Sequence, residues 1–234
     1  MLGKYFVQLE IAGRTANWTR PDTGDAPVSA PVPTYSAVKG IFESVLFGFK
    51  TTVVPVKVEI CAPLQYHSYY TNYGGPLRKS RSIQDGDSFQ LIATVLIDVC
   101  YRLYAEIVLN KPDISLSKKT IEWDKRTSSP GHAYQEIFNR RLERGQCYAI
   151  PFLGWKEFAP SYFGPFRAET QVQTDFSTKI PSMLRQVFSM GYNASIAYDK
   201  KKNIMHPKTI VYDQYVEVKN GVLLFGNGAE NNGK

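Results

Sequence analysis

His67, His132 and His206 are the only imidazoles in these 234 residues, so a reaction that needs a side chain to exchange protons near neutral pH draws on one of them. His67 and His206 sit in Tyr-rich or Pro-flanked stretches that read as surface. His132 differs. Lys118, Lys119, Lys125 and Arg126 precede it, and Arg140, Arg141 and Arg144 follow it along the helix that it opens. One titratable ring inside a cluster of cations suits cleavage of RNA by the RNA's own 2′-hydroxyl: a base takes the hydroxyl proton and cations stabilise the charged phosphorane. The plainer reading of the same residues is a solvated helix face, with Glu136 and Arg140 four residues apart as an exposed pair.

Other chemistries lack their parts. No GxxxxGK[ST], GxGxxG or GxSxG occurs, which removes phosphate-cradling nucleotide folds and the serine hydrolase elbow. Asp22 and Asp25 share a loop but make a weak cation site, so neither a metal nor another cofactor is expected. Cys61, Cys100 and Cys147 are odd in number and lack zinc-ligand spacing, and they read as reduced, partly buried thiols. The 28 Lys and Arg against 21 Asp and Glu leave a net charge of +7, which favours a polyanionic partner. Backbone contacts to RNA are expected from Arg20, Lys39, Arg78, Lys79, Arg81, Lys118, Lys119, Arg126, Arg140, Arg141 and Arg144, with Tyr66, Tyr69, Tyr70 and Tyr73 placed to stack on unpaired bases.

Elements must hold these groups in place. Residues 4–12 alternate as a first strand, and a loop with four prolines spans 20–33. Thr34 caps a helix whose apolar face is Tyr35, Val38, Ile41, Phe42, Val45 and Leu46. Residues 52–64 form a second strand, 65–86 a polar excursion, and 93–109 one or two further strands. A second helix runs from Pro130 to Arg144 and stops at Gly145, with Tyr134, Ile137, Phe138 and Leu142 inward. Residues 146–159 supply another strand, broken by Pro151 and Gly154.

The order βαββαβ predicts an α+β fold, a ferredoxin-like core over 1–162. A small antiparallel β appendage is expected over 163–226, with strands near 208–215 and 216–225, and a flexible tail over 227–234. The opening MLGKYFVQLEIAG alternates like a strand instead of reading as a signal peptide, and Asp98 and Arg102 interrupt the longest apolar run. A cytoplasmic protein without a membrane segment is expected.

Three blocks carry a family resemblance: ANWTRPDTGDAPVSAPVPTYSAVKGIFESV (16–45), IFNRRLERGQCYAIPFLGWKEFAPSY (137–162) and YVEVKNGVL (215–223). Together and in this order they resemble the CRISPR-associated RAMP proteins of Cas family five, subtype I-C. The resemblance implies a ferredoxin-like core, binding of CRISPR repeat RNA, metal-independent cleavage of the precursor transcript, and retention on the crRNA 5′ handle beside other subunits of an interference complex. DNA binding is left open. Cleaving members often carry Tyr just after the E-[SA]-[IV] of the first helix, where this chain has Leu46, and Gly-Lys-His before the second helix, where this chain has Gly131-His132. Only His132 carries over, and Tyr134 or Lys125 would share its work. The alternative is a subunit that caps the handle without cutting.

Overall fold

The computed structural model describes residues 5–48, 51–73, 89–109, 122, 127, 129–186, 197–199, 204–206 and 210–226. Strand β4 (Phe89–Leu109) organises the fold, because 21 extended residues give it partners along both edges. On one edge it pairs antiparallel with β1 (Tyr5–Ala16). On the other, its C-terminal half pairs with β2 (Thr51–Ile60) and its N-terminal half with β3 (Gln65–Tyr73), again antiparallel. β2 and β3 thus follow β4 as one broken strand. At the break the Cys61 N–H still donates to the Cys100 carbonyl (2.8 Å), and Asp98 turns through a φ of 51°.

Short β5 (Tyr162–Gly164) pairs with the free edge of β1. The sheet continues past β2: a pair of strands, β7 (Ala197–Asp199) and β8 (Ile204–His206), stands apart, while β6 (Thr178–Gln186), β9 (Val211–Lys219) and β10 (Val222–Leu224) join the main sheet. The order is β5-β1-β4-β2-β10-β9-β6. The C-terminal strands are therefore hydrogen-bonded to the rest through the β10 and β2 pairing.

Helices α1 (Tyr35–Val45) and α2 (Pro130–Glu143) bury their apolar stripes against one face of this sheet. Thr34 caps α1 as its position predicts, accepting from the Ala37 N–H (3.2 Å). Tyr35, Val38, Ile41, Phe42 and Val45 are buried, and Phe42 meets Phe138 of α2 at 5.6 Å between ring centroids. Under them lie Leu9 and Ile11 of β1, Val58 and Ile60 of β2, and Tyr101 and Leu103 of β4. Each such side chain contributes about 1.5–3 kcal/mol by leaving water. α2 ends where expected, with Gly145 at a φ of 62° just beyond it.

The opposite face holds a polar knot that the sequence reading passed over. Glu10 is fully buried and lies opposite Arg102 in register. It accepts from the Arg167 Nε (2.6 Å), the Arg167 backbone N–H (3.1 Å), Thr170 Oγ1 (2.8 Å) and Arg102 Nε (3.3 Å). Burial pushes its carboxyl up, yet these hydrogen bonds outweigh burial and hold it below its ordinary value. The Arg102 that interrupts an apolar run is thus the partner of a buried acid.

Four expectations change. Residues 146–159 are turns and extended coil, not a strand; Pro151 and Gly154 break the pairing, and the strand falls later, at β5. Residues 65–73 are strand β3, not an excursion, because they pair with β4, and the side chains of residues 65–70 are largely exposed. β6 went unread because TKIPSMLRQ is polar and contains Pro181, which an edge strand tolerates. The hairpin of β9 and β10 turns at Asn220 and Gly221, both at positive φ, five residues beyond the expected division at 215. The tail over 227–234 lies outside the described residues. Among the described residues no helix is long and apolar enough to cross a membrane.

Candidate nucleic-acid interface

Pro130 and Ser129 start α2, and this start presents His132 to solvent. Its ring lies 6.1 Å from that of Tyr5, tilted by 42°, while the Tyr5 hydroxyl shares a hydrogen bond with Ser129 Oγ (2.8 Å). Gly131 is needed here because a Cβ at this position would lie 2.5 Å from the Tyr5 ring. Helical spacing puts Gln135 and Asn139 on the same side as His132. Both line a cavity of about 360 Å³ with Phe6, Gln8 and Phe166, and Gln135 is fixed by donating from Nε2 to the Phe6 carbonyl (2.6 Å). His132 itself stands outside the residues that line this cavity, exposed one turn before Gln135, and an exposed imidazole can exchange a proton with a bound strand.

A second cavity, also about 360 Å³, lies along α1, where two blocks separated by some hundred residues of chain meet. Asn17 and Thr19 supply one wall, Ser36 and Gly40 the floor, and Pro151 and Phe152 the far side. Gly154 locks this arrangement. Its φ is 93°, and a Cβ there would come within 1.8 Å of the Asn17 carbonyl oxygen. The Asn17 N–H donates to the Leu153 carbonyl (2.9 Å), joining the same segments. Trp18, 2% exposed, donates from Nε1 to the Tyr101 hydroxyl, which donates to the Pro31 carbonyl.

The residues expected to act at one site do not all gather. Tyr134 is 4% exposed, stacks on Phe138, and donates its hydroxyl to the Leu46 carbonyl, so in this arrangement it is directed into the fold. Arg141 donates from Nη1 to the Val45 carbonyl (2.9 Å). Both therefore satisfy carbonyls at the C-terminal end of α1, a task shared with the Tyr148 and Ala149 N–H groups on Ser44. Arg140 and Arg144 are exposed. Lys39 pairs with Glu43 (3.4 Å), and Arg20 forms a two-point pair with Asp22 at 3.0 and 2.6 Å. Lys125, Arg78, Lys79, Arg81, Lys118, Lys119 and Arg126 lie outside the described residues.

On the β3 ribbon, Tyr66 and Tyr70 are exposed, and His67 stacks with Tyr69 at 6.3 Å. Burial pushes the Tyr66 phenol up, and the Arg20 guanidinium acts against it, which places that cation within electrostatic reach of the aromatic ribbon. His206 ends β8. Cys61, Cys100 and Cys147 are free and half-buried. Among the described residues no group of three or more His, Cys, Asp or Glu side chains could hold a metal ion.

A protein-family model described as CRISPR-associated protein (Cas_Cas5) matches residues 6–215. Two relatives named CRISPR pre-crRNA endoribonuclease Cas5d are similar to the chain. The protein from Thermus thermophilus is 28% identical over 161 residues, 68% of this chain and 63% of its own length, so the match spans less than two thirds of that relative. The one from Mannheimia succiniciproducens is 28% identical over 202 residues, 77% of this chain and 84% of its own. A crystal structure titled CRISPR-associated protein shares the fold, with a TM-score of 0.67 and 17% identity over 98% of this chain and 96% of that one.

Proposed function

We propose, for a chain that belongs to the Cas5 family of CRISPR-associated proteins, that it binds the repeat RNA of a CRISPR transcript, cuts it, and stays on the crRNA 5′ handle as a subunit of a type I-C interference complex in the cytoplasm. The family match over residues 6–215 carries this reading. The two relatives named as pre-crRNA endoribonucleases and the exposed His132 at the start of α2 support cleavage. A ferredoxin-like core, expected over 1–162, is supported by the order β5-β1-β4-β2 with both helices on one face, the arrangement of a split βαβ motif, although β5 carries that core on to Gly164. The appendage over 163–226 meets that core at the β10 and β2 pairing, and the tail is 227–234.

In the reaction, the 2′-oxygen attacks the adjacent phosphorus as its proton passes to a base. The bond from phosphorus to the 5′-oxygen breaks, and that oxygen takes a proton, leaving a cyclic phosphate and a 5′-hydroxyl. His132 serves as the base or the acid, and because the nucleophile belongs to the RNA, no metal-bound water is required. Lys125 is its proposed cationic partner. Tyr134 enters as a positioning residue, since its hydroxyl is directed to Leu46. Arg20, Lys39, Arg140 and Arg144 hold phosphates, and Arg78, Lys79, Arg81, Lys118, Lys119 and Arg126 extend the basic surface.

The second reading, a subunit that caps the handle without cutting, is favoured by Leu46 standing where cleaving members often have Tyr, and by the inward Tyr134. Incubating the purified chain with its repeat RNA in EDTA separates the two. Cleavage supports the nuclease, and intact but bound RNA supports the cap.

A further inference from the structure

The cleavage chemistry uses neither Cys61 nor Cys100, yet the sheet brings these two thiols together. The register of β2 on β4 ends with Ile60 opposite Tyr101, so the next pair is Cys61 opposite Cys100. The Cys61 N–H donates to the Cys100 carbonyl (2.8 Å), which makes this a hydrogen-bonded pair of an antiparallel ladder, with Cα atoms about 5.5 Å apart. A disulfide spans Cα separations of roughly 4.4–6.8 Å, so the backbone can admit one without rearrangement. Alternation along β4 puts Tyr101 and Leu103 under the helices and turns Cys100 and Arg102 to the other face. Directly opposed side chains share a face, and the two thiols hydrogen-bond to each other there.

Their surroundings distinguish the two sulfurs. Arg167 donates from Nη2 to Cys100 Sγ (3.6 Å), and Glu10 Oε1, itself held by Arg167, lies 3.8 Å from the same sulfur. Cys61 Sγ points to the Glu59 carbonyl (3.7 Å). The hydrogen bond from Cys61, helped by the Arg167 guanidinium, holds the Cys100 thiol below its ordinary range against burial and the Glu10 charge. The same hydrogen bond, together with burial, pushes the Cys61 thiol up. One activated thiol beside one neutral thiol is the arrangement of an attacking and a resolving cysteine. Both are only half-buried, which leaves them open to a small reagent. Cys147, equally half-buried, lies on the separate 146–159 segment and serves as a comparison within the same chain.

We infer that Cys61 and Cys100 are a redox modification site, a thiol pair that closes reversibly to a disulfide by exchange with a small disulfide of the glutathione class. The Cys100 thiolate attacks one sulfur of the reagent, whose S–S bond breaks, and the departing thiolate takes up the proton that Cys100 lost. Cys61 then gives up its proton and attacks the Cys100 sulfur, expelling the second thiolate, which is protonated in turn. Two protein thiols are oxidised, and the reagent is reduced to two thiols. The new bond lies where β2 gives way to β3 and staples that break onto β4. It is independent of the RNA-binding reading, because the pair sits on the face away from α2.

The test incubates the full native chain with glutathione disulfide, quenches with N-ethylmaleimide, and maps the cysteines by mass spectrometry without reduction. A Cys61–Cys100 cross-linked peptide should form in the folded chain and disappear on adding dithiothreitol, while Cys147 is found alkylated or carrying glutathione. In Cys61→Ser the resolving thiol is gone, so glutathione should accumulate on Cys100, at least about threefold faster than on Cys147. In Cys100→Ser, Cys61 should take up glutathione more slowly than Cys100 does in the other variant. A cross-link that forms only in urea, that involves Cys147, or that does not form at all overturns the inference, and the wild type decides this even if a variant fails to fold. Uptake by Cys61 as fast as by Cys100 overturns the assignment of the attacking thiol.

Discussion

The groove along α1 and the start of α2 are built differently. In the groove several residues have a steric or hydrogen-bonding reason to be what they are: Gly154 passes the Asn17 carbonyl, Thr34 caps, and Thr19 accepts from the Trp155 indole N–H. At the start of α2, the proposed chemistry rests on one exposed side chain, His132, and the constraint beneath it is Gly131 against Tyr5. The lesson is that strong motif residues mark where the backbone is over-determined, whereas a reactive side chain at a surface leaves little trace in packing. Substitutions should accordingly damage stability at the constrained groove positions, such as Gly154, and activity at His132.

The largest effect expected on stability is from Gly154→Ala. A Cβ at a φ of 93° and 1.8 Å from a backbone oxygen combines torsional strain with overpacking, on the order of 4 kcal/mol. A denaturant midpoint unchanged from wild type would break the comparison.

Glu10→Gln lies outside both regions and provides a reference for damage to the fold alone. Leaving Arg102 and Arg167 without their anion should cost about 3 kcal/mol, read from urea unfolding. The sign of its pH dependence follows from the lowered carboxyl. The stabilisation is complete above the ordinary value of 4.5 and is lost as pH falls through the lower value of the folded state. Wild type should therefore lose stability in acid below about pH 4.5, and the variant should lack that part of the decline.

Two adjacent arginines sharpen the contrast within α2. Arg141→Ala leaves the Val45 carbonyl without one of its donors and should cost about 1–2 kcal/mol. Arg140→Ala, at an exposed site, should stay within about 0.5 kcal/mol of wild type while lowering the salt slope of RNA binding by roughly one. Equal stability losses in the two variants would show that the Val45 contact is not what separates them.

Legibility in the sequence followed locality. Thr34, the apolar face of α1 and the Gly145 stop could be read because caps and helical periodicity act within a few residues. β3 and β6 could not, since a polar ribbon and a Pro-bearing edge strand take their strand character from distant partners, β4 and β9. The run at 146–159 forms no strand because Pro151 and Gly154 break it and Gly154 docks on the distant Asn17 carbonyl, while Tyr148, Ile150 and Phe152 stay exposed. Of the candidate site, His132 and the exposed Arg140 and Arg144 were legible as types and spacing. The inward course of Tyr134 and the grip of Arg141 on α1 depend on how two helices cross, which no local pattern reveals.

The central claim is that the chain cuts RNA through the RNA's own 2′-hydroxyl with His132 exchanging the proton. Single-turnover cleavage in EDTA tests it most directly, using all-ribose repeat RNA and RNA with a 2′-deoxy residue at the cut site, with wild type and His132→Ala. The account predicts cleavage of the all-ribose RNA alone, and a rate about 10² to 10⁴ lower for His132→Ala at unchanged affinity and stability. Cutting of the 2′-deoxy RNA, or an unchanged rate in His132→Ala, would contradict it.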